Sequence, residues 1–465
     1  MFIGRQNELY ELNKLYDKSG FKFVVIYGRR RVGKTSLITE FIKDKDSIFY
    51  IAIERNDSAA LKDFSTKVLN RFPSAVSIIE SFASWDKAFL YIAEQAKRER
   101  IVLAIDEYPY IAAGNPSISS ILQKYIDTDF RSSNIFLILC GSSMSFMENQ
   151  ILGYASPLYG RRSAQFKINP FDYYDAGLFF ETKSPEDKML AYAVCGGIPQ
   201  YLAALAEYDA IIDGIYECFF KKSGIMYEEP ENLLKQELRE PAIYNTLITS
   251  IANGASKLNE IATKSGEESK KTSKYLKSLL NLHIIQKEHP YSSKLERNGV
   301  YKLQDNMFRF WYRYIPQNVT NIESGLGRQV IENRVLHDLP GYIGRIYEDA
   351  CREFMLRKNG TQVLPFLFDG IGRWWGTSPI SKEQEEIDIL ADSNNKAIFG
   401  ECKWSTSKIE LNTLLNLQRK STMFKRYDEQ KYILFSKTGF NSEIIKQSKN
   451  EDTTLVELQE MYASS

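Results

Sequence analysis

Short, continuous apolar runs organise the first third of the chain. They lie at residues 23–27, 47–53, 101–105 and 135–140, and the segments between them carry apolar residues at helical spacing. Strands that are apolar throughout, rather than at alternate positions, are typical of a parallel sheet with both faces covered. The alternation of such strands with helices therefore predicts an α/β fold, with a parallel sheet between two helical layers.

The middle of the chain has a mainly helical pattern. Residues 170–220 contain a break at Gly196 and Pro199, which predicts either an ordinary loop or the hinge of a small helical lid. Residues 241–286 predict three helices, and a β-hairpin with Asn298 near its turn follows them. This order of elements resembles a winged helix.

The C-terminal pattern predicts a linker followed by a separate α/β domain. An amphipathic helix is expected after residue 341, and strands are expected at 363–368, 385–391 and 397–403, with a polar turn between the last two. The predicted boundaries are 1–168 for the α/β core, 169–233 for the lid, 234–315 for the winged helix, 316–340 for the linker and 341–465 for the C-terminal domain.

Composition and charge mainly argue against some classes of protein. The 465 residues carry a formal net charge of +1, so a nucleic acid would have to meet a local basic patch. The five cysteines have no paired spacing, which disfavours a disulfide framework or a zinc site and fits a reducing compartment. No apolar run reaches the ~18 residues of a membrane span, and the charged N-terminal segment is unlike a signal peptide. We therefore expect a cytoplasmic protein without a membrane partner.

A phosphate-binding motif follows the first apolar run. Gly28, four further residues, and then Gly33, Lys34 and Thr35 make the pattern GxxxxGK[ST] between a strand and a helix. Glycines let backbone N–H groups approach phosphate oxygens, and a helix N-terminus favours the same anion. Lys34 is predicted to contact the β- and γ-phosphates of ATP, and the Thr35 hydroxyl is predicted to bind Mg²⁺. The predicted nucleotide-binding residues are Gly28, Arg29, Arg30, Arg31, Val32, Gly33, Lys34, Thr35 and Ser36.

Further polar residues follow the later apolar runs. Asp106 is predicted to hold Mg²⁺, and Glu107 is predicted to be the general base for the attacking water; an ordinary acid pair is the alternative. Ser142 is either a sensor of the γ-phosphate or part of a helix cap. Arg161 or its neighbour Arg162 is a candidate arginine finger, although adjacent arginines are more often surface charge. The carboxyl ends of parallel strands bring such residues to one edge of the sheet.

Several of these segments together resemble a known family. The segments GRRRVGKT, IDEYPY, CGSS, PLYGRR and GGIPQYL, with FIGRQNEL before them, are similar to the archaeal-type P-loop ATPases on the AAA+/STAND branch. The resemblance implies that the motif around Lys34 binds ATP, that Asp106 and Glu107 form the acidic pair, and that GGIP belongs to a lid. It also implies either a ring of subunits, as in AAA+ proteins, or a closed monomer, as in STAND proteins.

A second candidate site lies in the C-terminal domain. Asp388 is on one predicted strand, and Glu401 and Lys403 are two residues apart on the next, so these last two share a face. Two carboxylates can hold Mg²⁺ while a lysine orients water for phosphodiester hydrolysis. The D–x12–ExK pattern resembles the PD-(D/E)xK nuclease superfamily, in which a helix often adds a carboxylate, here Glu348. An alternating hairpin with solvent-facing charges is the alternative.

The sequence thus predicts an ATP-binding and ATP-hydrolysing switch that acts on DNA or RNA. The predicted third helix of the winged helix carries lysines that suit phosphate contacts, although such modules often pack only on protein. These lysines are Lys270, Lys271, Lys274 and Lys277. A non-cleaving sensor or scaffold and a transcription regulator are the alternatives. A second copy of the chain or a regulatory protein is the expected protein partner.

Overall fold

The fold consists of two compact units, Met1–Pro170 and Phe171–Ser465. The structure, a computed structural model, describes residues 2–72, 80–291, 299–379, 382–449 and 453–463. The hairpin turn predicted at Asn298 lies outside these residues.

A five-stranded sheet forms the centre of the first unit. Its strands are β1 (Lys22–Tyr27), β2 (Ser47–Ile51), β3 (Ile101–Asp106), β4 (Ile135–Gly141) and β5 (Ala164–Lys167). The order is β2-β3-β4-β1-β5, and every neighbouring pair is parallel. Strands β3 and β4 are buried at every position, as expected of a sheet covered on both faces. The predicted parallel α/β sheet is confirmed.

Helices connect these strands and supply the apolar layers. They are Gln6–Tyr16, Lys34–Ile42, Asp57–Arg71, Trp85–Gln95, Tyr108–Gly114, Ile118–Asp127 and Met144–Phe146, with single turns at Phe130–Ser132 and Met147–Ile151. Side-chain caps begin two of the longer ones: Asn56 accepts from the N–H of Ala59, and Ser84 accepts from the N–H of Lys87. The sheet is therefore fixed well enough to hold the loops at its carboxyl edge.

The second unit begins with a group of helices. They are Tyr173–Gly177, Leu178–Phe180, Pro185–Cys195, Pro199–Ala206, Ile211–Phe219 and Glu229–Glu237. The break lies where the glycines and proline predict it, since one helix ends before Gly196 (φ 62°) and the next begins at Pro199. A Cβ on Gly197 would lie 1.8 Å from the carbonyl oxygen of Phe171, so only glycine fits there.

Three helices and a two-stranded sheet follow in the predicted order. The helices are Pro241–Ala252, Leu258–Ser265 and Ser269–Asn281, and the strands are β6 (Ile285–Glu288) and β7 (Val300–Leu303), which pair antiparallel. Ile261 and Leu276 are fully buried, as expected of helices that pack on each other. The identity of this segment as a winged helix stays a prediction. The next helix, Asn306–Tyr314, is mostly buried.

The linker predicted at 316–340 is helical and runs into the next element. Four short helical segments lead into the 23-residue helix Leu336–Lys358. They are Pro316–Asn318, Val319–Glu323, Gly327–Val330 and Ile331–Val335. The predicted boundary at residue 341 therefore lies inside a helix. Pro340 removes one hydrogen bond near the start of this helix, which does not offset the burial of its apolar face.

A mixed five-stranded sheet forms the C-terminal part. Its strands are β8 (Gly370–Thr377), β9 (Gln384–Ser393), β10 (Lys396–Lys403), β11 (Glu429–Ser436) and β12 (Thr453–Glu457), in the order β12-β11-β10-β9-β8. Strands β8, β9 and β10 pair antiparallel, whereas β10, β11 and β12 pair parallel. The helices Leu411–Ser421 and Ser442–Ser448 connect its parallel strands, and the short helix Leu458–Met461 follows β12.

The strand predicted at 363–368 is wrong. This apolar segment forms turns, in which Leu364 and Phe368 are buried and Asn359 exchanges two hydrogen bonds with the backbone of Phe368, at 2.9 and 3.0 Å. Pro365 has no N–H to give to a sheet, which favours a turn over a strand. The first strand is instead the glycine-rich β8.

A buried carboxyl group joins the first helices of this unit to the helix Leu336–Lys358. Glu353 accepts hydrogen bonds from the backbone N–H of Tyr173 at 2.9 Å and from the hydroxyl of Tyr192 at 2.8 Å. Burial is the largest cause that raises the pKa of Glu353 from 4.5 to about 8. The folded protein therefore holds a proton on Glu353 at neutral pH.

We expect Glu353→Gln to remove a pH dependence of stability. Because the folded pKa lies above the unfolded one, the stabilisation is complete below the ordinary value of 4.5 and is lost as the pH rises through about 8. At about 1.4 kcal/mol per pKa unit, the wild type should lose on the order of a few kcal/mol that the variant keeps. Thermal unfolding at a series of pH values measures this, with the exposed Glu443→Gln as control; parallel curves for wild type and Glu353→Gln would contradict it.

Candidate functional site

The backbone of the loop after β1 packs closely against a neighbouring segment and turns through left-handed conformations. A Cβ on Gly28 would lie 2.3 Å from the carbonyl oxygen of Ile168, so this position accepts only glycine. Arg31 and Gly33 have φ angles of 69° and 89°, in the left-handed region that glycine adopts without cost. The loop therefore turns sharply between the strand and the helix Lys34–Ile42.

The helix Lys34–Ile42 begins directly at this loop. Its N-cap is Gly33, and within the described part of the chain no side chain caps it. Free N–H groups at a helix N-terminus favour an anion. Lys34 is 5% exposed, and its Nζ donates to the carbonyl oxygen of Arg29 at 3.0 Å, so the ammonium group is held against the loop.

The predicted magnesium residues meet at the same edge of the sheet. The hydroxyl of Thr35 donates to Oδ2 of Asp106 at 2.6 Å, and Asp106 is 1% exposed. A threonine hydroxyl and a strand-end aspartate are the groups that hold Mg²⁺ in P-loop proteins. The oxygen donors present here fit that ion. The structure thus brings together two residues that are 71 positions apart in the sequence.

Glu107 is held by the neighbouring strand. Its Oε2 accepts from the backbone N–H of Ser142 at 3.1 Å and from the Ser142 hydroxyl at 2.8 Å. The N–H of Glu107 donates to Oδ1 of Asp106 at 2.9 Å, and its φ of 52° is left-handed. Such a conformation is rare for a non-glycine residue and is often found at functional sites. Ser142 therefore positions the predicted base.

The arginines of the first unit differ in their surroundings. A guanidinium nitrogen of Arg30 donates to the hydroxyl of Tyr110 at 3.0 Å, and Arg5 donates to the carbonyl oxygen of Val32 at 3.2 Å. The structure pairs Arg161 with Asp127 through two hydrogen bonds, at 2.7 and 2.8 Å. Arg161 would have to leave Asp127 to act as an arginine finger, so that role stays a prediction.

A second group of carboxylates lies in the C-terminal sheet. Glu348, Glu386 and Asp388 each place one carboxylate oxygen within 4.8 Å of the others, a spacing that a single metal ion can bridge. Burial, followed by the charge of Asp388, raises the pKa of Glu348 to about 7. Burial, followed by the charge of Glu401, raises the pKa of Asp388 to about 6. A divalent cation would relieve this repulsion, and an all-oxygen donor set suits Mg²⁺ or Mn²⁺.

The predicted pair Glu401 and Lys403 lies beside this group. The Nζ of Lys403 is 2.6 Å from one carboxylate oxygen of Glu401, and the Nζ of Lys420 is 3.6 Å from the other. Asp388 Oδ2 accepts from the backbone N–H of Cys402 at 2.9 Å, which links β9 to β10. Glu401 is not in the carboxylate group found among the described residues, so its role as a metal ligand stays a prediction.

Sequence reasoning missed Glu386 and Lys420. Glu386 lies two residues before Asp388 on the same strand, so their side chains share a face, and that spacing could have identified it. Lys420 lies on the helix Leu411–Ser421, and its approach to Glu401 depends on tertiary packing that no local pattern encodes. Glu348, by contrast, lies where the nuclease resemblance places a helix carboxylate.

Across the described ranges, none of the helices is both long and apolar enough to cross a bilayer. This finding agrees with the apolar runs of the sequence, which stay short.

Known proteins resemble this chain over most of its length. Residues 2–205 match a family described as an ATPase domain predominantly from Archaea, and residues 311–414 match a family described as archaeal and bacterial proteins of unknown function. An uncharacterised protein of Methanocaldococcus jannaschii is 31% identical over 467 residues, which cover 99% of this chain and 100% of the relative. An uncharacterised ATP-binding protein of Pyrococcus abyssi is 27% identical over 245 residues, which cover 43% of this chain and 72% of the relative.

A solved structure supports the fold of the ATPase part. A Walker-type ATPase of Pyrococcus abyssi superposes with a TM-score of 0.51 at 19% identity, covering 67% of this chain and 96% of that one. At this identity the likeness is evidence for the fold alone. We conclude that the chain belongs to the same family as the full-length relative from Methanocaldococcus jannaschii, and that its residues 2–205 form a P-loop ATPase domain of the kind found predominantly in Archaea.

Proposed function

We propose that the protein is a Mg²⁺-dependent ATPase whose nucleotide state controls an output on nucleic acid. The hydrogen bond of 2.6 Å between Thr35 and Asp106, next to the buried Lys34, is the main support. Lys34 and Thr35 begin one helix and Asp106 ends the strand β3, yet their polar groups meet at one loop. ATP is the nucleotide that the family membership supports.

Each residue of the loop has a distinct role in this proposal. The backbone from Gly28 to Gly33 and the helix N-terminus bind the phosphates, and Lys34 adds a positive charge. Thr35 and Asp106 would hold Mg²⁺, which shields the charge of the phosphates. Glu107, oriented by Ser142, accepts a proton from the attacking water. The water oxygen bonds to the γ-phosphorus as the bond from that phosphorus to the β–γ bridging oxygen breaks, so ADP and inorganic phosphate leave.

We expect Glu107→Gln to bind ATP but to hydrolyse it at least about 100-fold more slowly, because general-base catalysis contributes about 10²–10⁴-fold. Glutamine keeps an oxygen for the hydrogen bonds from Ser142, so the loop should stay in place. Phosphate release measures turnover, and fluorescence of a labelled ATP analogue measures binding.

Glu94→Gln is the matched control for this experiment. Glu94 is exposed and pairs with its neighbour Lys97 at 2.6 Å. Its variant should hydrolyse ATP at the wild-type rate. Hydrolysis by Glu107→Gln at that same rate would assign the base to another residue, and loss of ATP binding would assign Glu107 to the nucleotide pocket instead.

A second function, metal-dependent cleavage of a phosphodiester, is favoured by the carboxylate group in the C-terminal sheet. Glu348, Glu386 and Asp388 supply oxygen ligands within 4.8 Å of one another, and Lys403 lies beside them on β10. Lys403 would orient the attacking water, whose oxygen bonds to phosphorus as the bond to the leaving oxygen breaks. The proton passes to that leaving oxygen.

The output could also be binding without cleavage, and one assay separates the two. Plasmid nicking is measured with Mg²⁺ or Mn²⁺, with and without ATP. Cleavage that depends on ATP supports the switch, and cleavage that ignores ATP supports a nuclease independent of the ATPase. Metal-dependent binding without a cut supports the sensor or scaffold. Lys270, Lys274 and Lys277 are exposed on the helix Ser269–Asn281, which suits phosphate contacts by the proposed winged helix.

A further inference from the structure

A large cavity within the second unit connects the hairpin to the carboxylate group. Its volume is about 940 Å³, and its walls come from the hairpin strand β7, the helix Leu336–Lys358 and the strands β8 and β9. Glu348 and Glu386, two members of the carboxylate group, line it directly. The cavity is therefore the space through which a substrate would reach those carboxylates.

Five positive side chains line this cavity. They are Lys302, Arg309, Arg313, Arg345 and Arg373. Several are held in place by ion pairs, such as Arg309 with Asp349 at 3.0 Å and Arg313 with Asp338 at 2.6 Å. An arginine has five N–H donors, so a pair with one carboxylate leaves donors for a phosphate. Arg345 is exposed and adds a further positive charge.

Six acidic side chains also line the cavity, and two of them, Glu348 and Glu386, belong to the carboxylate group; Glu386 also pairs with Arg373. Glu348 and Glu386 are the carboxylates that a divalent cation would neutralise. The other acidic side chains of the wall already face cations; Glu288, for example, lies 3.2 Å from Lys302. With a divalent cation bound at the carboxylate group, the positive side chains of the wall attract a phosphate backbone. The cation itself marks the position suited to the reacting phosphate.

Aromatic side chains complete the wall. Trp375 and Tyr301 line the cavity, and the guanidinium carbon of Arg373 lies 5.4 Å from the centre of the Trp375 ring. Unpaired bases stack on aromatic rings and on the planar guanidinium groups of arginines, whereas the bases of a duplex already stack on one another. The combination of arginines with an accessible tryptophan is suited to a single strand.

We propose that this cavity binds a short single-stranded segment of nucleic acid, with a phosphate at Glu348 and Glu386 and a base on Trp375. The inference rests on the proposed nuclease function and adds its substrate class. A volume of about 940 Å³ is at the upper end of the range of about 300–1,000 Å³ for ligand pockets, so it holds a few nucleotides and excludes a duplex. Single-stranded ends and loops are the substrates, and continuous duplex is not.

Binding of labelled oligonucleotides tests this substrate class. Fluorescence anisotropy of the full chain is measured with a single-stranded DNA, the same RNA sequence and the matched duplexes, with Ca²⁺ in place of Mg²⁺ to suppress cleavage. We expect the single strands to bind at least tenfold more tightly than the duplexes. Trp375→Ala and Arg345→Glu should each weaken single-strand binding at least fivefold, and Trp375→Phe should restore most of it.

Lys446→Glu is the control for charge, because Lys446 is exposed on the helix Ser442–Ser448 and does not line the cavity. It should change binding less than twofold, and melting curves should show that the variants are folded. Equal affinity for duplex and single strand, or no effect of Trp375→Ala and Arg345→Glu, would overturn the inference. A free mononucleotide that competes as well as the strand would also overturn it.

Cleavage then separates this inference from the proposal beneath it. With Mg²⁺ or Mn²⁺, cutting of duplex but not of single strands would leave the nuclease proposal standing and remove the single-strand inference. Tight single-strand binding without any cutting would keep the single-strand inference and remove the nuclease proposal, because the strand would then bind at a site that does not cleave it.

Discussion

Replacing Lys34 with alanine is expected to lower ATP hydrolysis at least about 100-fold, because one preorganised donor to developing charge is worth about 10²–10³ in rate. The side chain is buried, and its ammonium group lies 3.0 Å from the carbonyl oxygen of Arg29, so its position is fixed before ATP arrives. ATP affinity should fall as well, since Lys34 is proposed to contact the phosphates in the bound state. Phosphate release measures turnover, and calorimetry measures the binding of ATP with Mg²⁺.

Lys43→Ala is the matched control, because Lys43 directly follows the same helix and its side chain is 67% exposed. Its variant should keep the wild-type rate, which excludes a general effect of lost positive charge. A melting curve close to that of the wild type would show that Lys34→Ala is folded. Wild-type hydrolysis by a folded Lys34→Ala protein would mean that the nucleotide binds elsewhere.

The first unit could be predicted from the sequence because its signals are local. The apolar run before Gly28 and the run before Asp106 each form a buried strand, and a motif residue follows each of them directly. In a parallel sheet, the ends of such strands lie at the same edge, so the order of the motifs gives the site. The hydrogen bond from Ser142 to Glu107 was harder to predict from the sequence, because a serine after a strand fits the cap of a helix equally well.

The C-terminal part was harder to predict because tertiary packing, more than the local pattern of apolar residues, decides which of its segments are strands and helices. The turns at 363–368 are apolar like a strand, and β8 is rich in glycine like a loop, so local pattern misassigns both. The helix Leu336–Lys358 continues through Pro340 because its buried face outweighs one lost hydrogen bond. Asp388, Glu401 and Lys403 could be predicted as one group because they lie on the two strands of a hairpin, and their role as a site stays a prediction.

The two candidate sites use similar chemistry in different settings. At the ATPase loop, Asp106 accepts a hydrogen bond from Thr35, so its carboxylate already has a partner. In the C-terminal sheet, Glu348, Glu386 and Asp388 face one another, and the pKa values of Glu348 and Asp388 are raised. A bound cation would therefore relieve repulsion between carboxylates at the second site, where Asp388 also accepts from the N–H of Cys402.

Replacing Asp388 with asparagine is expected to abolish metal-dependent cleavage, with a loss of at least about 1,000-fold, because metal assistance contributes several kcal/mol and about 1.4 kcal/mol is tenfold in rate. Asparagine keeps the shape of the side chain and an oxygen that accepts from the N–H of Cys402, so β9 and β10 should stay paired. Release of labelled fragments from single-stranded DNA and RNA with Mn²⁺ measures the effect. ATP hydrolysis in the other unit should be unchanged.

The control for this variant is Asp428→Asn, because Asp428 is exposed and bonds to Asn395 at the far end of the same sheet. The metal itself supplies a second readout: Mn²⁺ should raise the melting temperature of the wild type and of Asp428→Asn, and it should raise that of Asp388→Asn much less. Cleavage by Asp388→Asn at the wild-type rate would place the chemistry in another protein or at another site. Loss of cleavage without loss of the Mn²⁺ stabilisation would instead make Asp388 a group that positions the substrate, since the metal would then be held by other ligands.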